Sequence, residues 1–220
     1  MLRGVGVAVV GVALAATTAS GAAAVKVPVV RCHTIFGVGG PPKHVPATLR
    51  VTPSERLGKL VAYTNTEIFL LGPRGLHCAG LVAADGGSQI VAWPPGVPKP
   101  GPHAHTDGLT LTLDTACAGC KADDACPFLT ALARRLGFPC THGVPAGEIT
   151  AEQRGDVFFE DPPGVSGSGW PSGGRDAAVG VVGTRGSATS GVVFRSTCTL
   201  PEDQRGFCTD AFGDELARYG

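Results

Sequence analysis

Short apolar runs separated by turn residues recur along the chain, which is the pattern of a β-rich protein. The clearest pair lies within residues 68–93, where the apolar runs 76–84 and 89–93 flank the sequence DGGS at 85–88. Glycine in such a turn accepts the positive φ that tight hairpin connections need. The pattern therefore predicts a β-hairpin here, which would form the nucleus of a sheet.

Further strands are predicted wherever polar and apolar residues alternate or a short apolar run ends in a turn. The cleanest alternation is LTLTLDT at 109–115, whose leucines we expect to face the core and whose threonines we expect to face solvent. Other predicted strands occupy 48–52, 57–64, 157–160, 177–183 and 190–196, while 25–30 is a shorter β-like run and 68–71 is a buried strand end.

Two helices are predicted in the second half of the chain. The first lies between Cys126 and Cys140, with Asp123 or Asp124 as its cap and Gly137 as its end. The second runs from the capping-box sequence TLPE at 199–202 toward the C-terminus. The first helix presents an apolar face at helical spacing, made of Phe128, Leu129, Leu132 and Leu136.

Strands and helices do not alternate regularly, which argues against a parallel βαβ architecture. We expect an α+β fold with a mainly antiparallel sheet of seven or eight short strands, covered by two or three helices and cross-linked by disulfides. Residues 25–220 form one domain in this prediction. Removal of 24 residues from 220 leaves 196. A domain of this length buries about 70% of the accessible surface that its unfolded chain exposes, so one domain can form a sufficient core.

The N-terminus has the features of a secretory signal peptide. One basic residue, Arg3, precedes an apolar run at 5–16 and a small-residue sequence that ends in Ala22-Ala23-Ala24. The apolar run is shorter than the roughly 20 residues of a membrane span, although a retained membrane anchor remains the alternative. We therefore predict a signal peptide at 1–24, with the rest secreted to the extracellular space or the cell envelope and without a membrane span.

The charge balance disfavours two classes of partner. The chain carries 18 basic and 18 acidic residues, and removal of Arg3 leaves 17 against 18, a net charge of −1. No long run of one sign is present, so there is no field to attract nucleic acid or an anionic membrane. We expect neither of them as a partner.

Eight cysteines follow the predicted cleavage point, and an even number in an exported chain predicts disulfides. Proximity along the sequence favours Cys32 with Cys78 and Cys198 with Cys208. The four in the middle would pair among themselves in an order that the sequence leaves open. The full set is Cys32, Cys78, Cys117, Cys120, Cys126, Cys140, Cys198 and Cys208.

The sequence Cys117-Ala-Gly-Cys120 has the spacing of a redox C-x-x-C motif. Reactive thiolates in such motifs lie at a helix N-terminus, whereas the predicted helix starts later, near Cys126. We therefore favour a structural disulfide, with extracellular thiol–disulfide exchange as an alternative. A four-thiolate zinc site is a weaker alternative because thiols are oxidised outside the cytosol.

The histidines and serines offer two further signals. His103 and His105, with Asp107, copy the start of the H-x-H-x-D-H metal motif of the metallo-β-lactamase superfamily, but Gly108 replaces its last histidine. We expect no metal and no cofactor. A secreted hydrolase with a serine and histidine site in the glycine-rich loop 164–174 is a second alternative function. Its candidate nucleophiles are Ser166, Ser168 and Ser172, and its candidate bases are His33, His77 and His142.

Both tryptophans border or lie in long loops rich in glycine and proline, at 93–107 and 161–175. Recognition sites often occupy long loops on a rigid scaffold. Acid–base residues do not cluster anywhere in the sequence. The leading hypothesis is therefore a non-catalytic binding module for an extracellular or envelope ligand, with Trp93, Trp170 and Arg175 as its surface contacts.

Three segments carry a resemblance to other proteins: GPRGLHC at 72–78, DPPGVSGSGWPSGG at 161–174 and TCTLPEDQRGFC at 197–208. The chain resembles a group of exported actinobacterial proteins with a PRG-x-x-C motif, a later C-P-F/Y helix start and a DPPG-V-x-G loop. It departs from them at Leu76, where an aromatic residue is expected. The resemblance implies the fold and an extracytoplasmic location, and this group brings no known activity.

Overall fold

The computed structural model describes most of the chain after the predicted signal peptide. The described residues are 24–37, 44–97, 107–126, 128–140, 148–153, 155–161, 166–167, 170–171, 177–187 and 190–219. The predicted signal peptide, residues 1–24, lies outside them except for Ala24. No helix within these ranges is long and apolar enough to cross a membrane.

An eight-stranded sheet forms the larger part of the described structure. Its strand order is β2-β6-β7-β8-β14-β13-β10-β9, and all neighbours are antiparallel except β2 and β6. The strands are β2 (His33–Phe36), β6 (His77–Val82), β7 (Gly87–Trp93), β8 (Gly108–Asp114), β9 (Glu148–Gln153), β10 (Asp156–Asp161), β13 (Ala178–Arg185) and β14 (Val192–Thr199).

A smaller four-stranded sheet packs beside it, in the order β3-β1-β4-β5. Its strands are β1 (Val25–Arg31), β3 (Thr48–Val51), β4 (Leu60–Thr64) and β5 (Phe69–Pro73), of which β1 and β4 are parallel. Two-residue strands β11 (Ser166–Gly167) and β12 (Trp170–Pro171) pair separately. Short 3₁₀ turns occupy Leu57–Lys59 and Glu202–Gln204.

The described residues also contain three α-helices: α1 (Ala118–Ala125), α2 (Thr130–Arg135) and α3 (Arg205–Tyr219). The predicted α+β class with mainly antiparallel sheets is confirmed, although the two sheets contain more strands than we expected. The predicted capping box at 199–202 is wrong. Thr199 is the last residue of β14, and Pro201 precedes the 3₁₀ turn without a side-chain cap.

One face of the large sheet builds the main hydrophobic core. The leucines of β8 lie on this face as predicted, and Leu111 is fully buried. The small sheet contributes Tyr63 and Leu70 to the same cluster, and α3 contributes Ala211 and Phe212. Burying this apolar surface at about 25 cal/mol per Å² is the main force that holds the two sheets and α3 together.

The opposite face of the sheet is covered by α1 and α2. Val193 of β14 packs there against Ala125 and Leu132. Thr110 is only 9% exposed, so the expectation that the threonines of β8 face solvent is wrong for this residue. Because this face is also covered, polar and charged side chains on it are buried.

All eight cysteines are paired. The predicted disulfides Cys32–Cys78 and Cys198–Cys208 are confirmed, and the middle four form two pairs that the sequence left open, Cys117–Cys120 and Cys126–Cys140. Four disulfides are typical of proteins in oxidising compartments.

Candidate functional site

The C-x-x-C sequence lies at the beginning of α1. The helix starts at Ala118, so the prediction that helical structure begins near Cys126 is wrong. Cys117 is the N-cap residue in an extended conformation, and its Sγ accepts a hydrogen bond from the Cys120 N–H at 3.0 Å. A helix N-terminus presents unpaired N–H groups and a partial positive charge, so Cys117 has the setting that reactive thiolates require.

The sequence around Pro127 explains why α1 ends where a helix was expected to begin. The residue before a proline is disfavoured in the helical conformation. Cys126 accordingly adopts an extended backbone, with φ −72° and ψ 140°, and α1 stops at Ala125. A second helix, α2, then carries Leu132 and Leu136 toward the sheet.

Cys117 and Cys120 form a disulfide that is only half-buried. Their Cα atoms are 5.2 Å apart, and three positions separate them in sequence. Because both residues are only partly buried, this disulfide is more open to an external thiolate than the buried Cys198–Cys208 disulfide is. Accessible, short-range disulfides are the kind that undergo exchange most readily.

Asp85 lies against the same disulfide. Its Oδ2 is 3.5 Å from Cys120 Sγ. The turn that carries Asp85 is held in place by Thr115, whose Oγ1 donates to the Gly86 carbonyl oxygen at 2.9 Å. Gly86 has a φ of +88°, which suits glycine, and a side chain there would meet Thr115 Oγ1 at 2.8 Å. The turn predicted from DGGS thus positions a carboxylate beside the cysteines.

Ligand atoms of Asp85, Cys117 and Cys120 all lie within 4.8 Å of one another, a spacing that metal sites also use. The two sulfur atoms are bonded to each other, however, and metal ligation requires thiolates. Cys126 and Cys140 form their own disulfide. The four middle cysteines therefore do not form the four-thiolate zinc site that the sequence left as an alternative.

A cluster of buried charged residues lies between α1 and the sheet. Four of its members are 6% exposed or less: Asp114, Lys121, Asp124 and Arg195. Burial strongly raises the pKa of Asp124, and the neighbouring carboxylate of Asp114 raises it further. A side-chain hydrogen bond between the two carboxyl groups also raises the pKa of Asp124 and lowers that of Asp114, so Asp124 is the favoured donor of the pair.

Arg195 provides positive charge at the centre of this cluster. Burial lowers the pKa of its guanidinium to about 10, so it stays protonated at neutral pH. Its Nη1 donates to the carbonyl oxygen of Cys126 at 3.4 Å, and its guanidinium carbon lies 5.8 Å from the centre of the Phe159 ring. Arg195 thus joins the end of α1 to β14.

The buried carboxylate of Asp114 and the exposed carboxylate of Asp85 both lie close to the backbone of Gly87. A Cβ at this residue would lie 2.8 Å from Asp114 Oδ1 and 3.5 Å from Asp85 Oδ1. Gly87 and Asp114 are also register partners on β7 and β8. The absence of a side chain therefore lets both carboxylates approach the strand.

An exposed aromatic ring flanks the start of α1. Phe138 is 51% exposed, and its ring lies 3.8 Å from the position that a Cβ at Gly119 would occupy. Gly119 is the residue immediately before Cys120. The ring therefore supplies apolar surface next to the disulfide.

The binding residues expected from the sequence do not form a described site. Trp93 is 6% exposed and its ring lies 6.0 Å from that of His77, so its proposed role as a surface contact is wrong. The hydrophobic surface that the tryptophan buries outweighs the loop position suggested by sequence. The backbone of Trp170 forms β12, but its side chain and all of Arg175 lie outside the described residues.

The residues of the hydrolase alternative are also mostly outside the described part of the chain. Only the backbone of Ser166 is described, paired with Pro171, while Ser168, Ser172 and His142 lie outside. His33 and His77 are exposed on β2 and β6. The possible metal residues His103 and His105 lie outside the described ranges as well.

A cavity of about 160 Å³ lies between the small sheet and α3. Its two acidic residues are each held by an arginine: Arg56 Nε contacts Asp210 Oδ2 at 2.7 Å, and Arg218 Nε contacts Asp214 Oδ2 at 2.7 Å. Both carboxylates of the cavity are therefore paired with positive charge from within the protein. Its lining is Thr52, Pro53, Ser54, Leu71, Thr209, Asp210, Gly213 and Asp214.

Sequence spacing was enough to identify Cys117 and Cys120, but not Asp85 or the buried cluster. The Asp-Gly turn was a recognisable signal for a hairpin, and only the fold shows that this turn contacts the disulfide.

Comparisons of the chain with models of protein families, with curated proteins and with solved structures found no significant match.

Proposed function

We propose that this protein is an extracellular thiol–disulfide exchange protein and that Cys117 and Cys120 are its redox pair. The observation that carries the proposal is the position of Cys117 as the N-cap of α1, with its Sγ accepting the Cys120 N–H at 3.0 Å. Hydrogen bonding and the helix dipole both stabilise a thiolate at this position. The sequence-based objection to redox chemistry rested on a later helix start, and the position of α1 removes it.

The surroundings of the two sulfur atoms give them different roles. Cys117 receives a hydrogen bond at the positive end of a helix, which favours its thiolate. Cys120 has the Asp85 carboxylate 3.5 Å from its sulfur, which favours the protonated thiol. We therefore assign Cys117 as the nucleophile and Cys120 as the resolving cysteine, with Asp85 as the acceptor of its proton.

In the oxidising direction, a thiolate of a substrate dithiol attacks Cys117 Sγ. The bond between Cys117 and Cys120 breaks, its electron pair goes to Cys120 Sγ, and the Cys120 thiolate takes up a proton. A second substrate thiolate then attacks the substrate sulfur of the mixed disulfide and releases Cys117 as a thiolate. Two electrons pass from the substrate dithiol to the protein, and the substrate gains a disulfide.

The reverse steps reduce a substrate disulfide. The Cys117 thiolate attacks one sulfur of the substrate disulfide, and the other substrate sulfur leaves as a thiolate. Cys120 then attacks Cys117 Sγ of the mixed disulfide while Asp85 accepts its proton, and the bound substrate sulfur leaves as the second thiolate. A disulfide of higher reduction potential in another protein reoxidises the pair. Phe138 beside Gly119 offers apolar contact to a polypeptide substrate.

The test uses the purified full-length secreted protein and a peptide with two cysteines. We expect the wild type to oxidise the reduced peptide in a single turnover and Cys117→Ser to lose the reaction. With the oxidised peptide, the Cys117 thiolate of Cys120→Ser attacks the peptide disulfide, and the mixed disulfide accumulates because the resolving cysteine is missing, which mass spectrometry detects. The matched control is the double variant Cys126→Ser with Cys140→Ser, which removes the neighbouring disulfide and keeps the reaction. Exchange that survives in the double variant Cys117→Ser with Cys120→Ser would exclude the proposal.

A second candidate, the non-catalytic binding module for an extracellular or envelope ligand, is favoured by one exposed apolar pair. Ile35 is 61% exposed on the edge strand β2, and its register partner Leu81 is 37% exposed on β6. An extended peptide that adds to a sheet edge uses such side chains for specificity.

Selection from a library of displayed extended peptides tests this second candidate. We expect binders whose affinity falls at least tenfold with Ile35→Glu, because the charge removes the apolar contact. The control is Val30→Glu, which changes a residue that is 37% exposed on β1 of the small sheet. Binders that respond equally to both variants would rule out this edge as the site.

A further inference from the structure

A pair of buried carboxyl groups lies where β8 meets α1, the helix that carries the C-x-x-C sequence. Asp114 ends β8 and is 4% exposed, while Asp124 lies in α1 and is 6% exposed. The two are hydrogen-bonded to each other, and we call them the carboxyl pair. The second oxygen of Asp124, Oδ2, has no hydrogen-bond partner among the described residues. Two negative charges in contact are costly at a buried site, so this arrangement favours a single proton shared by the two carboxyl groups.

The carboxyl pair is joined to the disulfide through α1 itself. Asp124 follows Cys120 by four positions, so the two residues occupy the same face of the helix on successive turns. Lys121 follows Cys117 by four positions in the same way, and its N–H donates to the Cys117 carbonyl oxygen at 3.0 Å. Asp114 approaches the other side of the site, where Gly87 adjoins both Asp114 and Asp85.

The buried charges of this cluster, including those of the carboxyl pair, sum to zero when the pair holds one proton. Lys121 and Arg195 contribute two positive charges, while Asp161 of β10 and an ionised Asp114 contribute two negative charges. Loss of the proton from Asp124 leaves one uncompensated negative charge in a site of low dielectric constant, which is costly. Exposed Asp85 and Asp123 add negative charge at the edge of the cluster.

We propose that the Asp114–Asp124 carboxyl pair holds one proton beneath α1 and thereby sets how readily Cys117 ionises and how readily the Cys117–Cys120 disulfide is reduced. The proposal concerns regulation of the proposed redox site and rests on that function. The interaction is reciprocal, because a negative charge on the carboxyl pair opposes a negative charge on the sulfur and the thiolate opposes loss of the carboxyl proton.

The direction of the effect follows from the charges. While the pair keeps its proton, the helix N-terminus stabilises the Cys117 thiolate without opposition from Asp124. As pH rises and the pair ionises, the added negative charge disfavours the Cys117 thiolate. The reactivity of Cys117 then depends on pH in two steps, one for the thiol and one for the carboxyl pair.

The test measures the alkylation rate of Cys117 from pH 4 to pH 10 in the full-length Cys120→Ser protein, whose other three disulfides stay oxidised. We expect two inflections in the profile. Asp124→Asn keeps a hydrogen-bond donor to Asp114 but cannot ionise, so its profile has one inflection. At pH values where the carboxyl pair of the Cys120→Ser protein is ionised and its Cys117 is still mostly a thiol, Cys117 of this variant reacts faster, about tenfold for each unit by which the pKa of the thiol differs. If the Cys120→Ser protein itself, with Asp114 and Asp124 unchanged, shows only one inflection, the proposal is overturned.

Asp123→Asn is the matched control, because Asp123 is the exposed neighbour of Asp124 on the same helix. We expect it to keep both inflections. If Asp124→Asn does not fold, Asp114→Asn serves in its place, and near-UV circular dichroism verifies the fold of each variant. A purely structural role would lower the melting temperature but leave the two-step profile unchanged, and this outcome would also overturn the proposal.

The alkylation measurement is independent of any substrate. Two inflections in a protein that fails to oxidise the peptide would exclude the proposed function while leaving the carboxyl pair coupled to Cys117. Normal exchange with a single inflection would exclude the coupling alone.

Discussion

Two disulfides of this protein lie in opposite environments. Cys198 and Cys208 are 0% and 2% exposed in the main core, where they join β14 to α3. Cys117 and Cys120 are half-buried at the start of a helix, beside a carboxylate and an exposed phenylalanine ring. The covalent bond is the same in both. Access and the surrounding charges decide whether it serves as a cross-link or as a reactive group.

The largest effect should come from removal of the buried disulfide. The double variant Cys198→Ala with Cys208→Ala should lose about 3 to 5 kcal/mol of unfolding free energy, because it frees the unfolded chain and leaves a gap in the core. Cys117→Ala with Cys120→Ala should lose about 2 kcal/mol or less, since its loop is short. Urea unfolding, monitored by circular dichroism, measures the unfolding free energy of both double variants. Equal losses would contradict the view that the buried disulfide is the structural cross-link and the half-buried one is not.

Each face of the large sheet also buries a carboxyl group, and the one on the face covered by α3 belongs to Glu215. Complete burial raises the pKa of its carboxyl well above the ordinary value, and a hydrogen bond from Ser196 opposes this shift only in part. Stability from the neutral form is complete below the unfolded pKa near 4.5 and is lost as pH rises through the folded pKa.

Glu215→Gln should therefore stabilise the protein by about 1 to 3 kcal/mol at pH 8, with little effect at pH 4. Urea unfolding at the two pH values measures the difference. Asp203→Asn, an exposed residue in the 3₁₀ turn before the same helix, is the control. An equal gain at both pH values would show that ionisation of Glu215 is not the cause.

Asp85 tests whether the carboxylate beside Cys120 takes part in exchange. We expect Asp85→Asn to slow the resolving step about tenfold, because the amide cannot accept the Cys120 proton. Stopped-flow measurement of the decay of the mixed disulfide isolates this step. Asp123→Asn should leave the rate unchanged, and an unaffected rate in Asp85→Asn would remove Asp85 from the mechanism.

Phe138 should give the smallest effect. Phe138→Ala should raise the KM for a peptide dithiol about threefold, because an apolar contact of the substrate is lost, while kcat stays the same. Glutathione, which is too small to use the contact, should react at the wild-type rate. A change for both substrates would point to disturbance of α1 instead of substrate contact.

Local sequence was sufficient for several features of the fold. The DGGS sequence and its flanking apolar runs predicted the hairpin of β6 and β7, and LTLTLDT predicted the strand β8 with its leucines in the core. These features depend on side-chain period and on turn residues, which act over a few positions. Disulfides Cys32–Cys78 and Cys198–Cys208 also followed from proximity along the chain.

The start of α1 could not be inferred from local propensity. The sequence AGCKADDA has only alanines as apolar residues and no Ser, Thr, Asp or Asn at its N-cap. Packing of Ala125 against Val193 and the sulfur cap at Cys117 stabilise the helix instead. Trp93 was misplaced for a related reason, since its neighbouring prolines suggested a surface loop while the fold buries its ring.

Sequence by itself determined the strand pattern, the α+β class and the presence of a C-x-x-C spacing. Tertiary structure alone decided that this spacing begins a helix, that Asp85 reaches its sulfur, and that Arg195 faces Asp124 from β14. These groups are separated by tens of residues along the chain and meet only when β7, β8 and β14 pair. Charge and accessibility at the disulfide arise from those long-range pairings, which no local pattern contains.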